Sequence, residues 1–154
     1  MPTHHTGRDK AVLALNTYIK LMRASETLGA RLMRCGSLGD LTASQFGTLE
    51  ALYHLGPLRQ NEIGAKTLRS PGNMTLVIDN LEKAGLVTRT RAAEDRRAIV
   101  IALTRKGKQR IAATLPGHIA AIVEQMSVLT AAEQQQLGAL CKKLGTTAPG
   151  GSRP

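Results

Sequence analysis

Between Arg89 and Arg97 the chain sets four arginines within nine residues, with Glu94 and Asp95 among them. A guanidinium is planar and permanently charged, and its forked N–H donors match phosphate oxygens in pairs. Upstream, Ser70-Pro71-Gly72-Asn73-Met74-Thr75-Leu76 reads as the start of a helix. Ser suits an N-cap, and Pro suits the first helical position, where its missing N–H costs nothing. Free amides at such an end attract an anion. The chemistry on offer is recognition of a phosphate-bearing polyanion.

Other chemistries find less support. Cys35 and Cys141 are too few for a disulfide framework. Neither they nor His4, His5, His54 and His118 have zinc-ligand spacing. With no Gly-rich phosphate loop and no nucleophile elbow, the sequence points away from an enzyme and calls for no cofactor or metal. Cys35 has Arg31 and Arg34 nearby, so it is a redox candidate, although a lone Cys is more often a small buried hydrophobe. His54 could line a small-molecule pocket or cap the end of its helix. Met22, Met33, Met74 and Met126 read as core, or as the lining of a pocket where the first, second and fifth helices meet.

The charge is uneven. The 154-residue chain has a formal net charge of +10. Residues 58–110 alone carry 12 Lys and Arg against 5 Asp and Glu, whereas residues 1–57 carry 6 against 4. A basic segment of that kind is the footprint of a polyanion, though a charged hairpin tip can also be merely solvated. No apolar run reaches the ~18 residues of a membrane span, and the first residues lack a secretory pattern. The expected compartment is the cytoplasm. Thr146 to Pro154 reads as a disordered tail.

The elements that must hold these residues follow from periodicity. A first helix runs from about Arg8 to Arg34 with Val12, Leu15, Ile19, Met22, Leu28 and Leu32 as its stripe. At ~40 Å it outreaches one small lobe, so part of it should pack on something else. Thr42 and Gln45 form a capping box with Leu41 and Phe46 as a staple, opening a second helix whose buried face is Phe46, Leu49, Leu52 and Tyr53. A third runs from about Gln60 to Leu68. The fourth, from Ser70 to Ala84, turns Met74, Val77, Ile78 and Leu81 inward and Gly72, Leu76, Asp79, Asn80 and Lys83 outward. Leu86–Thr90 and Ala98–Leu103 are strands around the charged tip. Thr104 caps a fifth helix with the stripe Ile111, Leu115, Ile119, Ile122 and Met126. A kink or break is expected at Pro116-Gly117. Thr130 and Glu133 box the start of a last helix with Leu137, Leu140 and Leu144.

Helices three and four are joined at helix-turn-helix spacing, and the hairpin follows as a wing. Here the sequence resembles the MarR family. The stretch Asp79-Asn80-Leu81-Glu82-Lys83-Ala84-Gly85-Leu86-Val87 is similar to the end of that family's recognition helix. The stretch Asp95-Arg96-Arg97-Ala98 through Leu103-Thr104-Arg105-Lys106-Gly107 is similar to its wing signature, D-x-R, a strand and T-x-x-G. In element order the resemblance covers about residues 8 to 144. It implies a homodimeric transcription factor, usually a repressor, that leaves DNA when a small aromatic or phenolic ligand or an oxidant acts on it. It places Ser70, Gly72, Asn73, Thr75 and Leu76 at the groove-facing start of the recognition helix. Asp95 and Arg97 match D-x-R, with Asp95 orienting Arg97 towards phosphate or a minor groove; a purely structural ion pair is the alternative. Arg89, Arg91 and Arg96 become wing-phosphate candidates. Two positions depart from the pattern. Leu76 stands where many members carry a base-reading Arg, and Arg59 stands where a Ser or Thr cap is common.

The expected fold is mainly α with a small β-hairpin wing (α+β), a winged helix-turn-helix flanked by N- and C-terminal dimerisation helices. Residues 1–145 form one domain: about 41–103 the DNA-binding lobe, about 8–36 and 104–145 the dimerisation lobe, and 146–154 a tail. The expected partners are double-stranded DNA, a second copy of the chain and a small-molecule effector, with no membrane. The rivals are an architectural protein that coats DNA without sequence preference and a cysteine-based redox-sensing regulator.

Overall fold

The computed structural model describes residues 5–67, 71–91 and 99–146. Its elements run α1 (Asp9–Arg34), α2 (Ala43–Leu55), β1 (Leu58–Arg59), α3 (Gln60–Thr67), α4 (Pro71–Lys83), β2 (Val87–Arg91), β3 (Ile99–Leu103), α5 (Arg105–Met126) and α6 (Ala131–Thr146). Among the described residues no helix is long and apolar enough to cross a membrane.

Local chemistry accounts for most of the boundaries. The Thr42 hydroxyl accepts from the Gln45 N–H at 3.2 Å, and the Gln45 side chain accepts from the Thr42 N–H at 2.9 Å. Two otherwise unpaired donors at the start of α2 are thereby satisfied. Leu41 and Phe46 are both buried beside them. α4 closes with Gly85 at φ 71°. The Gly85 N–H donates to the Glu82 carbonyl at 2.9 Å and the Leu86 N–H to Leu81 at 2.9 Å, the paired bonds of a Schellman turn. The carbonyls left over at that turn are taken by the start of α5. The Thr104 hydroxyl donates to the Gly85 carbonyl at 2.7 Å, Lys106 Nζ donates to Ala84 at 2.8 Å, and the Thr104 hydroxyl accepts from the Gly107 N–H at 3.0 Å.

One core joins α2, α3, α4, β3 and α5. Leu49, Ile63, Met74, Ile78, Leu81, Ile101 and Ile111 are fully buried in it. Each such side chain contributes roughly 1.5–3 kcal/mol by leaving water. Among the described residues Thr48 is the buried polar one, and its hydroxyl donates to the Ser44 carbonyl at 2.8 Å. The sheet order is β1-β3-β2, antiparallel throughout, with Val87 opposite Leu103 and Arg91 opposite Ile99. β1 was not expected: a two-residue strand has no periodicity to read. Its Leu58 pairs with Ile101 and its Arg59 with Val100.

Several expectations need correction. Tyr53 is 43% exposed and does not join the buried face of α2. Met74 is core, but Met22 (41% exposed) and Met33 (50% exposed) are not. No residue of α1 or α6 is buried within the protomer. The α5 stripe is core at Ile111, whereas Ile119 and Ile122 are exposed. Nor does α5 break at Pro116-Gly117, since the helix is continuous from Arg105 to Met126. Proline removes one N–H there, while the Thr114 hydroxyl donates to the Arg110 carbonyl at 2.9 Å one turn upstream.

Candidate nucleic-acid interface

The inward side chains of α4 fix what points outward. With Met74, Val77, Ile78 and Leu81 buried, Gly72, Asn73, Thr75, Leu76, Asn80 and Lys83 are exposed. Leu76 is 60% exposed, an uncommon state for a large apolar side chain on a helix that otherwise sorts its faces cleanly. α3 braces this face: Gln60 Nε2 donates to Thr75 Oγ1 at 2.7 Å. Half of a capping box survives at the start of α3 despite Arg59 in the cap position. The Glu62 carboxylate accepts from the Arg59 N–H at 2.6 Å, and Asn61 Oδ1 accepts from the Glu62 N–H at 3.0 Å. Ser70, the expected cap of α4, lies outside the described residues, as do Asp95, Arg96 and Arg97.

The described arginines of the hairpin differ sharply. Arg91 ends β2 and is exposed. Arg89 is folded back onto α4, with one guanidinium nitrogen donating to Asp79 and another to Glu82. Its backbone N–H also donates to Glu82, at 3.2 Å. Burial by itself would lower the Arg89 pKa. The hydrogen bonds to Asp79 and Glu82, and their charges, outweigh it and push the value further above an ordinary arginine's. The charge that Arg89 would offer a phosphate is therefore already matched within the protein. Strand alternation carries this signal in the sequence, because Arg89 shares a face with the buried Val87 and so points at the helix. The roles of Gln60, Asp79 and Glu82 had no comparable motif.

His54 lies edge-on to Tyr53, with ring centroids 5.3 Å apart. It lines a groove of about 410 Å³ with Glu50 and Lys66 along α2 and the end of α3, which neither Met22 nor Met33 lines. Cys35 is exposed at the end of α1, and its thiol donates to the Leu32 carbonyl at 3.1 Å. His118 on α5 joins separate parts of the fold. Its Nδ1 is 2.9 Å from Ser37 Oγ, and its ring stands edge-on to Phe46 at 4.6 Å.

Comparison with known proteins agrees with this geometry. A family model described as the MarR family matches residues 41–99, from the start of α2 to the first residue of β3. The chain is 34% identical over 132 residues to an uncharacterized HTH-type transcriptional regulator of Bacillus subtilis, YkoM, covering 86% of each chain. It is 32% identical over 135 residues to the HTH-type transcriptional regulator MhqR of the same organism, covering 88% of this chain and 93% of that one. Among solved structures, S. aureus MepR in complex with DNA superposes with a TM-score of 0.72 at 27% identity, over 85% of this chain and 97% of that one. An outward α4, a hairpin packed onto it and relatives matched nearly end to end leave one assignment: the chain belongs to the MarR family of winged-helix, DNA-binding transcriptional regulators.

Proposed function

We propose that two copies of the chain bind one pseudo-palindromic operator, each laying α4 in a major groove, with the two helices about one helical turn (~34 Å) apart. The observation that carries this reading is the outward α4 face: Asn73, Thr75 and Leu76 are exposed while the opposite stripe is fully buried. Phosphate contacts from Arg91, Arg96 and Arg97 would set the register, and the α4 side chains would read bases. Leu76 cannot donate a hydrogen bond, so its position favours a thymine methyl. Dimerisation through the first and last helices is supported by Leu13, Tyr18, Ile119, Val123, Leu140 and Leu144, apolar residues exposed on α1, α5 and α6. An exposed apolar surface of that extent is the mark of an interface. We read the protein as a repressor released by a small ligand, as its resemblance to the MarR family implies; such a ligand must bind the DNA-free arrangement more tightly to shift the balance.

The experiment is selection of binding sites from random duplex DNA by the full chain. Two inverted half-sites about one turn apart are expected, and variants at Asn73, Thr75 or Leu76 should return altered half-sites. A single asymmetric site, or a selected site preferred over random DNA by less than ~10³, would refute the dimeric operator reading.

A further inference from the structure

Arg89 occupies a position that the function above does not explain. It is the hairpin's one described arginine bonded to carboxylates, and both carboxylates belong to the helix that faces DNA. Asp79 and Glu82 are each about two-fifths exposed, at 43% and 40%, while the Arg89 side chain is 26% exposed. Left alone, two ionised carboxylates one turn apart on a groove-facing helix would repel the phosphates on either side. Arg89 offsets one of those two charges and hydrogen-bonds both carboxylates. Its forked guanidinium and its backbone N–H together reach Asp79 and Glu82, so β2 is fixed in both distance and angle against the last turns of α4.

We propose that Arg89 is a positioning and charge-masking residue for DNA recognition, not a phosphate contact. It holds the wing's first strand to the recognition helix and hides the Asp79–Glu82 charge from the duplex. This inference rests on α4 being the helix that meets DNA.

The test uses the full-length protein, the duplex recovered by site selection and a mixed-sequence duplex of equal length. Affinity is measured across a salt series, at a temperature where thermal unfolding shows every variant folded. Arg89→Ala alone should weaken binding to the selected duplex by tenfold or more, because two unmasked carboxylates now face the phosphates. Adding Asp79→Asn and Glu82→Gln to Arg89→Ala should bring affinity back to within about threefold of the starting protein, with an unchanged slope of log affinity against log salt. Asp79→Asn/Glu82→Gln with Arg89 intact should bind mixed-sequence DNA more tightly and discriminate less, since the freed guanidinium can now take any phosphate.

A phosphate-contacting Arg89 gives the opposite pattern. The triple variant would stay weak, and its salt slope would be shallower by about 0.9. That result overturns the inference while leaving the function intact. A merely structural Arg89 would lower the unfolding temperature without moving affinity or discrimination among the folded variants, and would also overturn it. A starting protein that binds neither duplex would overturn the function itself, and the inference with it.

Discussion

Gly107→Ala tests how tightly α5 is seated on the turn that ends the recognition helix. A Cβ built at Gly107 would lie 1.9 Å from the Leu86 carbonyl oxygen and 2.9 Å from its carbon. A carbon and a carbonyl oxygen pack no closer than about 3.3 Å, so the first turn of α5 would have to retreat by roughly 1.4 Å. Both partners in the clash are backbone, and no side chain can swing aside to absorb it. Overpacking of this kind costs about 1–3 kcal/mol. The same retreat stretches the Thr104 bonds to the Gly85 carbonyl (2.7 Å) and the Leu86 carbonyl (3.1 Å from the backbone N–H). Each of those is worth about 1 kcal/mol. Alanine returns up to ~1 kcal/mol of helix propensity. The net expectation is a loss of about 2–4 kcal/mol. Urea unfolding followed by circular dichroism, at one fixed protein concentration, should show a midpoint lower by ~1–2 M with an unchanged slope. Gly72→Ala is the control, because nothing lies within 4 Å of a Cβ there, and it should be neutral or stabilise by up to ~1 kcal/mol. A Gly107→Ala protein as stable as the original, or one no worse than Gly72→Ala, would refute the close seating of α5.

Arg97→Ala should weaken binding to selected and mixed-sequence duplexes alike and lower the salt slope by about 0.9, as loss of one phosphate contact requires; an unchanged slope in a binding titration would remove Arg97 from the phosphate contacts. At the start of α6, the Glu133 carboxylate accepts from the Thr130 backbone N–H at 2.8 Å and from its hydroxyl at 2.9 Å. Those bonds, the backbone one first, hold its pKa below the ordinary carboxylate value. The folded form therefore gains from an ionised Glu133 above the unfolded pKa, and that gain disappears as the pH falls through the lowered folded value. Protection factors at the start of α6, with the intrinsic slowing of amide exchange in acid divided out, should fall on acidification, and Glu133→Gln should flatten that response; a variant with the same acid response would show that another group carries it.

What the sequence made legible was whatever depends on neighbours along the chain. Thr42 with Gln45, Thr130 with Glu133 and the Gly85 turn each need residues within a few positions of one another, and all formed as their spacing dictates. The α4 faces were legible too, because Met74, Val77, Ile78 and Leu81 at helical spacing leave a single outward side. The failures concern partners distant in the chain. β1 exists because β3 pairs with it, and a two-residue strand has no pattern of its own. Arg89 reads as a free cation until the fold sets Asp79 and Glu82 beside it. The stripes of α1 and α5 announce apolar residues, but not whether the protomer itself covers Met22, Ile119 or Ile122. Periodicity says that a face avoids water and is silent on what replaces the water.

The T-x-x-G stretch gains a physical meaning from the same contrast. Thr104 begins α5 and satisfies the end of α4 with one hydroxyl, while Gly107 lets the two backbones close to contact. Lys106 adds a bond to the Ala84 carbonyl. Further along the same helix Ile111 enters the core, and His118 meets Ser37 and Phe46. α5 is thus seated on the recognition helix at one end and on the α1–α2 junction in its middle, with its exposed apolar stripe beyond. Packed backbone and core side chains deform little. Thr104 and Gly107 thus join the start of α5 to the turn that ends α4 with no intervening loop, and Asp79 and Glu82 join α4 to Arg89 on β2.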